Sequence, residues 1–335
     1  MISIQYHSTD VVLRKSVEEF ISEWLNDSPS LLVQTSGSTG PPKLIELKKE
    51  YMRNSARMTG EFLHLQSGDT ALLCLSPSTI AGKMMIVRAL ELNLQLIVVD
   101  VQSNPLKNLT EAIDFAALIP LQVQESLKYQ ASALKSIGKL IIGGAVLHEK
   151  LVRQLKGFPN PVWQTFGMTE TISHIAMRRL NASTSEYQPL PNIRVDSEDH
   201  RLVIRAPGLG IEHLMTNDLV ALTTKGFHWL GRSDFVINSG GIKIHPEQVE
   251  EKLSDIIEGN FFSGSLPDER LGEKHILCIE ASETKLDLEQ LKSLLGSKEA
   301  PRSIYLFERF AYTESGKINR CETLKQLDHA TERVL

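Results

Sequence analysis

Residues 31–43 read LLVQTSGSTGPPK and decide how the first part of the chain folds. The apolar run at 31–33 is typical of a short strand, and the glycines, hydroxyls and prolines after it are typical of a loop. Small residues let successive backbone N–H groups converge, hydroxyls add donors, and Lys43 adds a positive charge, so the loop is suited to cradling a polyphosphate. A flexible turn between two strands is the alternative, and composition alone favours it because short Gly/Ser loops are common.

The pattern beyond this loop alternates between strands and helices. Short β-rich runs occupy residues 31–33, 71–75, 96–99, 116–119 and 140–142. Helical spacing is found between them at 48–65, 84–92 and 148–155, and the first of these places Met52, Ala56, Phe62 and Leu63 near one stripe. The alternation predicts an α/β fold with a mostly parallel sheet whose strands are joined by crossover helices.

The later part of the chain has a different pattern. Residues 202–204, 219–222 and 227–230 predict a small β region. Pro246 suits the first turn of a helix, Val249, Leu253, Ile256 and Ile257 would form its buried stripe, and Gly259 would cap its C-terminus. We therefore predict a large domain at 1–232 and a small α+β domain at 233–335.

Composition excludes several classes of protein. With 335 residues, 41% apolar and 23% charged, the chain is ordinary globular material, and its net charge of -5 gives no electrostatic footprint for nucleic acid. The cysteines, Cys74, Cys278 and Cys321, are odd in number and far apart, which disfavours a disulfide framework or a thiolate metal cluster. The sequence has no apolar run long enough to span a membrane, so we expect a soluble, cytoplasmic protein.

Two common nucleotide motifs do not fit. A Walker A loop needs Gly-Lys followed by Ser or Thr, but Gly40 is followed by two prolines and Gly316-Lys317 by Ile318. In the Gly208-Leu209-Gly210 stretch, His213 stands where a dinucleotide fingerprint has its third glycine. Kinase-like and Rossmann interpretations are weakened accordingly.

The motif TSGSTGPPK resembles the phosphate-binding signature of the adenylate-forming superfamily, which includes acyl-CoA synthetases, nonribosomal peptide adenylation domains and firefly luciferase. Further motifs follow in the order typical of that superfamily: Gly143-Gly144-Ala145, TFGMTE at 165–170, TNDL at 216–219, GRSD at 231–234 and Gly316-Lys317. The resemblance implies a large domain with a mostly parallel sheet and a small mobile C-terminal domain. It also implies a two-step reaction, in which a carboxylate and ATP form an acyl-adenylate and the thiol of CoA then displaces AMP.

The resemblance assigns roles to individual residues. Because the carboxylate and the α-phosphate that it attacks are both negative, cations and oriented donors must offset their repulsion. Thr169 should face the α-phosphate, Glu170 should hold Mg²⁺, Asp218 should accept from the ribose hydroxyls, and Arg232 should donate to the ribose or the adjacent phosphate. The residues implied to bind ATP are Thr35, Ser36, Gly37, Ser38, Thr39, Gly40, Lys43, Gly143, Gly144, Ala145, Thr165, Phe166, Gly167, Asp218 and Arg232. Phe166 replaces a tyrosine that is common at its position, which keeps stacking but removes a hydroxyl.

The C-terminal motifs imply domain motion. Lys317 resembles the lysine that reaches the substrate carboxylate and the α-phosphate during adenylation. Since it cannot stay there while the thiol approaches, the resemblance implies a rotation about a hinge at Asp234. Gly240 and Gly241 would then face the CoA channel, although a simple hairpin turn explains these glycines too.

The closest resemblance within the superfamily is to o-succinylbenzoate:CoA ligases of menaquinone biosynthesis, in a compact form. It is carried by residues 78–85, 166–175 and 237–250. The implied acid-pocket residues are Ser78, Thr79, Ile80, Gly82, Lys83 and His174. Lys83, aided by Ser78, Thr79 or His174, would recognise the aromatic carboxylate that is not activated; a solvated lysine at a helix start is the plain alternative.

Other interpretations stay open at this point. A different aryl or acyl acid would use the same chemistry, and a non-catalytic nucleotide-binding protein would keep the fold without turnover. Only about 30 residues precede Leu31, where superfamily members have a long N-terminal portion, so the resemblance implies that most of one subdomain is absent. A homodimer is one way in which an acyl pocket could regain its outer wall.

Overall fold

The computed structural model describes residues 2–34, 44–145, 147, 149–183, 186–312 and 318–334. The phosphate-loop candidates from Thr35 to Lys43, and Lys317, lie outside the described residues. Within the described ranges, no helix combines the length and the apolar character needed to cross a bilayer.

An eight-stranded mixed sheet organises the first half of the molecule. Its strands, numbered in chain order, are β1 (Ile4–Tyr6), β4 (Thr70–Leu73), β5 (Gln95–Val98), β6 (Phe115–Leu118), β7 (Lys139–Ile142), β8 (Val162–Gly167), β9 (His174–Arg179) and β10 (Gln188–Pro189). The strand order is β1-β5-β4-β6-β7-β8-β9-β10. Along this order, each pair of neighbouring strands from β1 through β5, β4, β6 and β7 to β8 is parallel. The last two strands, β9 and β10, are added antiparallel. The predicted α/β class with a mostly parallel sheet is confirmed.

Helices cover both faces of this sheet. They are α1 (Val11–Leu25), α2 (Lys49–Leu63), α3 (Ile80–Leu92), α4 (Pro120–Tyr129), α5 (Ala131–Ser136) and α6 (Glu149–Leu155). Side chains alternate along each strand, so Leu73 joins the core beneath α1, α2 and α3, whereas Leu72 joins the core on the opposite face. Such burial on both faces is typical of parallel sheets, whose crossover helices pack on each side.

One predicted strand has a different partner from the one expected. Residues 31–33 do form a strand, but β2 (Ser30–Gln34) pairs antiparallel with β3 (Leu44–Lys48) in a separate two-stranded sheet. The register places Gln34 opposite Leu44, so the strand ends on either side of residues 35–43 are adjacent. An apolar run indicates a buried strand but carries no information about which strand it pairs with.

A second sheet follows as the small β region predicts. It is antiparallel and consists of β11 (Arg194–Glu198), β12 (Arg201–Ala206), β13 (Ile211–Leu222) and β14 (Phe227–Arg232). Its apolar residues, including Leu202, Ile204 and Phe227, join the core beneath α1, α2 and α3.

The C-terminal part is an α+β unit. Its elements are β15 (Ile237–Ser239), β16 (Ile242–Ile244), α7 (Pro246–Leu253), β17 (Phe261–Asp268), β18 (Gly272–Glu280), α8 (Leu288–Leu295), β19 (Ser303–Phe307), α9 (Arg320–Leu324) and β20 (Thr331–Val334). Two hydrophobic clusters formed only by residues from Ile237 onward make up its core. The domain division at residue 232 stays a prediction.

Two details of the helix prediction are wrong. The helix starts at Pro246 as predicted, but it ends at Leu253 with Ser254 as its C-cap. Ile256 is therefore beyond the helix and 44% exposed, whereas Val249 and Leu253 are buried. Gly259 lies in the loop before β17 and caps nothing, because the chain leaves the helical path five residues before it.

Candidate active site

Several predicted site residues follow strands that run in the same direction. Residues 76–79 follow β4, residues 143–145 follow β7, and residues 165–170 end and follow β8. Because these strands are parallel, their carboxyl ends meet at one edge of the sheet. Ligands of open α/β sheets bind at that edge, so the structure brings the acid-side and nucleotide-side candidates to one location.

The proposed adenine side combines small exposed residues with a fixed ring. Gly144 and Ala145 are exposed, and Gly144 has φ of +90°, a conformation that a side chain would strain. The Thr165 hydroxyl donates to the Ile142 carbonyl at 3.2 Å, which links the two strand ends. The Phe166 ring meets the rings of Tyr187 and Phe227 edge-on, with centroid distances of 5.6 and 5.2 Å. These two contacts hold the Phe166 ring in one orientation.

The Thr169-Glu170 pair forms a short 3₁₀ turn, Thr169–Thr171. Glu170 is exposed and has no hydrogen bond or ion pair to any residue that the structure describes. It is therefore not a buried capping group. A free carboxylate is the kind of hard oxygen ligand that Mg²⁺ prefers, so the donor fits the predicted metal.

The chain then makes a strained reversal at Ile172. This residue is buried and has φ 69° and ψ -51°, and the Ser173 N–H donates to the Thr171 carbonyl at 2.7 Å. This geometry is a γ-turn of the rare form with positive φ, which is costly for a β-branched residue. The turn separates the Thr169-Glu170 pair from Ser173 and His174, so it fixes how the nucleotide-side and acid-side groups are placed.

The two candidates for the ribose are cross-strand neighbours. Asp218 on β13 lies opposite Arg232 on β14. The Trp229 indole Nε1–H donates to Asp218 Oδ1 at 2.9 Å. Burial raises the pKa of Asp218, while the Trp229 hydrogen bond and the Arg232 charge act in the opposite direction. One carboxylate oxygen thus already has a donor, and the group is fixed as a ribose contact requires.

The hinge candidate is bonded directly to Arg232. The guanidinium donates through Nε and Nη2 to the two oxygens of Asp234, at 2.9 and 2.7 Å. Burial tends to raise the pKa of Asp234, but its bonds to Arg232 and the charge of that residue outweigh burial and lower it. Because this ion pair engages both side chains, a hydrogen bond from Arg232 to a nucleotide has to compete with those to Asp234.

Gly240 and Gly241 form the two-residue turn between β15 and β16. Their φ values are +57° and +80°, which is the requirement of a tight hairpin with positive φ at both central residues. Both residues are exposed. The hairpin interpretation is confirmed, and the CoA-channel role stays a prediction.

The acid-side candidates on α3 are used mainly to start that helix. Thr79 caps it by accepting from the Gly82 N–H at 3.3 Å, and Ser78 bonds Ser76, Oγ to Oγ, at 2.7 Å. Ile80 is partly buried against the main core, and Gly82 is buried. The Ser78 and Thr79 hydroxyls are therefore engaged in local hydrogen bonds at the start of α3.

Lys83 and His174 do not share contacts. The Lys83 ammonium lies 4.4 Å from the centroid of the Phe20 ring on α1, and burial lowers its pKa while Glu23 acts to raise it. His174 instead contacts α2, through Thr59 at 3.1 Å. The structure shows no contact between Lys83 and His174. Their predicted joint role in recognising the acid therefore stays a prediction.

A buried polar cluster contains an arginine that the sequence analysis missed. We define the polar cluster as Ser55, Thr59, Arg88, Ser173 and His174. Arg88 is 2% exposed and donates from Nη2 to Ser173 Oγ at 2.7 Å. Its Nε–H has no acceptor among the described residues, and burial lowers its pKa to about 10. No carboxylate in the described part of the chain forms an ion pair with this cation.

The hydrogen bonds of the polar cluster form one directed chain. Arg88 donates to Ser173, the Ser173 and His174 side chains meet at 3.4 Å, His174 meets Thr59, and the Thr59 hydroxyl donates to the Ser55 carbonyl at 2.9 Å. The tautomer that satisfies this order carries its proton on Nε2 of His174. Burial and the Arg88 charge lower the pKa of His174 well below its ordinary value, so the imidazole stays neutral. Arg88 is thus the charged group of the cluster.

Comparison with known proteins places this arrangement in a family. The family of AMP-binding enzymes matches residues 7–208. A 2-succinylbenzoate–CoA ligase from Lactococcus lactis is 25% identical, over 90% of this chain and 72% of that protein. The crystal structure of an acyl-CoA synthetase (AMP-forming)/AMP-acid ligase II-like protein from Dyadobacter fermentans is 35% identical, covers 95% of each chain and has a TM-score of 0.65. O-succinylbenzoate coenzyme A synthetase from Bacillus subtilis, solved with ATP and magnesium ion, is 20% identical over 88% of this chain and 69% of that one, with a TM-score of 0.77.

The chain therefore belongs to the AMP-binding enzyme family, and its fold is the adenylate-forming fold that the sequence predicts. The class that fold and family define together is that of the ATP-dependent acid:CoA ligases.

Proposed function

We propose that the protein activates 2-succinylbenzoate with ATP and transfers the acyl group to CoA, the ligation step for which the Lactococcus lactis relative is named. The carboxylate of the succinyl arm would attack the α-phosphorus, releasing pyrophosphate. The CoA thiol would then attack the acyl carbon of the adenylate and release AMP. This is the reaction of menaquinone biosynthesis that the family resemblance implies.

The nucleotide half of the site supports the first step. Asp218 would accept from the ribose hydroxyls, and Phe166 would pack against the adenine. The phosphate loop with Lys43, and Lys317, would supply donors and positive charge to the phosphates. Glu170 would hold Mg²⁺, which on binding neutralises part of the phosphate charge that repels the incoming carboxylate.

The observation that carries the choice of acid is the buried Arg88 guanidinium, which has an unpartnered Nε–H. A buried cation is costly unless an anion pairs with it. 2-Succinylbenzoate brings a second carboxylate, on its ring, that is not activated. That carboxylate would supply the missing acceptor, with Ser173 and the neutral His174 as the flanking groups. A fatty acid, whose only carboxylate is at the α-phosphate, would leave Arg88 unpaired.

The test is acid-dependent exchange between pyrophosphate and ATP, followed by CoA-dependent release of AMP. The panel contains 2-succinylbenzoate, 4-oxo-4-phenylbutanoate (the same molecule without the ring carboxylate), benzoate and a medium-chain fatty acid. We expect 2-succinylbenzoate to have the highest kcat/KM. A higher value for another acid would assign a different substrate within the same chemistry. Absence of exchange with every acid, in folded protein with Mg²⁺, would favour the non-catalytic interpretation.

A further inference from the structure

A second unusual arginine lies near the end of the chain. Arg320 is the first residue of α9 and comes three residues after Lys317. Its Nη2 donates to Glu250 Oε2 on α7 at 2.8 Å, and the two side chains are only 21% and 18% exposed. The other oxygen of Glu250 accepts from the Ser263 N–H at 2.8 Å. The bond therefore joins residues 70 positions apart and leaves neither carboxylate oxygen free.

Two aromatic rings complete the setting of Arg320. Its guanidinium carbon lies 5.0 Å from the centroid of Phe235 and 5.6 Å from that of Phe262. Phe235 directly follows the hinge candidate Asp234, and the Arg232 guanidinium carbon lies 5.7 Å from the same ring. Phe235 thus has contacts with both arginines, one before the hinge and one beside the lysine segment.

The ends of the segment that contains Lys317 are also fastened. Tyr312 and Ile318 form an antiparallel bridge, and the Asn319 N–H donates to the Ala311 carbonyl at 2.8 Å. The Tyr312 hydroxyl donates to Glu280 at 2.6 Å. We call residues 311–312 and 318–319 the base of this segment. Arg320 directly follows the base, so its hydrogen bond to Glu250 and its contacts with the two rings fix the orientation of the base on the small domain.

Glu247 adds a further charge at this junction. It lies on α7, and its Oε2 is buried without a hydrogen bond among the described residues. Burial raises the pKa of Glu247, the Arg320 charge acts to lower it, and Asp234 acts to raise it. Helix α7 also reaches the large domain, where Gln248 Nε2 donates to the Leu230 carbonyl at 3.3 Å. Arg320 thus lies where hinge, α7 and lysine segment converge.

We propose that Arg320 is a positioning residue for adenylation: through Glu250, Phe235 and Phe262, it fixes the base of the segment that carries Lys317 to the hinge. The inference rests on the proposed function, because it assumes that Lys317 serves the first half-reaction. A base that is free to tilt would misplace the ammonium group by an ångström or more, and such errors cost roughly 100-fold in rate. Thioester formation, which does not use Lys317, would be spared.

The experiment compares both half-reactions in full-length protein. Arg320→Met removes the guanidinium group and keeps most of the aliphatic side chain, and Arg320→Lys keeps the positive charge. Arg302→Met is the control, because Arg302 is an exposed arginine of the same domain. Adenylation is measured as acid-dependent pyrophosphate exchange with 2-succinylbenzoate, and thioester formation from presynthesised acyl-adenylate and CoA. We expect Arg320→Met to lower adenylation roughly 10- to 100-fold and thioester formation less than threefold. Arg320→Lys should recover part of the loss, and Arg302→Met should behave as wild type.

Thermal melts first confirm that each variant is folded, so that a change in either half-reaction can be assigned to the substitution. Equal losses in both half-reactions, or no loss of adenylation, would overturn the positioning role. If Arg320→Met does not fold, the decision passes to Glu250→Gln, which should show the same selective loss, and to Arg320→Lys, which should show a smaller selective loss. Failure of the proposed function looks different, because wild-type protein would then show no exchange.

Discussion

Replacing Arg88 with methionine tests the acid assignment, and the structure gives the size of the effect on stability. Burial lowers the pKa of Arg88 from 12.5 to about 10, which corresponds to roughly 3 kcal/mol of unfavourable desolvation. The bond to Ser173 returns about 1.5–3 kcal/mol, as hydrogen bonds to charged groups do. Methionine fills a similar volume without charge. We therefore expect the free energy of unfolding of ligand-free Arg88→Met to equal that of wild type or exceed it by up to about 2 kcal/mol.

The same substitution should have a large effect on catalysis. If the guanidinium binds the ring carboxylate, its loss should lower kcat/KM for 2-succinylbenzoate by roughly 10- to 150-fold, the equivalent of about 1.5–3 kcal/mol. For 4-oxo-4-phenylbutanoate, which has no ring carboxylate, the change should be less than threefold. The two enzymes and two acids form a double-mutant cycle that isolates the pair.

The assay is steady-state pyrophosphate exchange with each acid, together with urea unfolding monitored by circular dichroism. Arg57→Met is the matched control, since Arg57 is a mostly exposed arginine that pairs with Glu91. Equal falls in kcat/KM for both acids would refute the pairing of Arg88 with the ring carboxylate. A loss of stability above about 3 kcal/mol would show instead that Arg88 is a structural group, because such losses accompany the breaking of a compensated buried pair.

Three further predictions concern single residues. Lys83→Ala should raise the KM for 2-succinylbenzoate by roughly fivefold, the scale of about 1 kcal/mol for a partly exposed charge. Lys317→Ala should severely reduce adenylation and affect thioester formation from presynthesised acyl-adenylate much less. Burial lowers the pKa of His275 from 6.5 to about 4, so this group favours the folded state fully above pH 6.5 and progressively less as the pH falls toward 4. Between pH 7 and 5, His275→Asn should therefore lose about 2 kcal/mol less unfolding free energy than wild type.

Each of these three predictions has its own contradicting outcome. An unchanged KM in Lys83→Ala would leave Lys83 as a side chain packed on Phe20. Equal losses in both half-reactions would contradict the division of labour assigned to Lys317. For His275, parallel pH profiles of variant and wild type in urea unfolding would show that its imidazole does not titrate as described. His245→Asn serves as the comparison there, since the pKa of that more accessible histidine is also lowered by burial.

The parallel sheet could be predicted because its strands are buried on both faces and appear as short apolar runs. β1 and α1 were missed for different reasons. β1 has three residues, Ile4–Tyr6, too few to show a period. α1 had a readable signal, since Leu13, Val17, Phe20 and Trp24 recur at helical spacing after the capping residue Asp10. The partner of β2 could not be predicted, because strand pairing is decided by contacts distant in sequence.

The site was predictable where function imposes a linear motif. Two separate motifs assigned Asp218 and Arg232 to the nucleotide site, and the structure makes these residues cross-strand neighbours. Arg88 belongs to no quoted motif, although a single charge within the apolar stretch MMIVRAL was a visible signal. The bond between Arg320 and Glu250 left no such signal, because only tertiary folding brings these two residues together.

The hydrogen bond from Trp229 to Asp218 has an optical consequence. The chain contains three tryptophans, and the indole of Trp229 donates to the carboxylate that is proposed to hold the ribose. A nucleotide entering the site alters the polarity and the electric field around that indole. Trp24 is instead a buried residue of α1, and Trp163 lies near the start of β8 beside Phe62, at the end of that strand away from residues 165–170. The protein therefore carries a built-in fluorophore for occupancy, and titrating ATP against its emission needs no label.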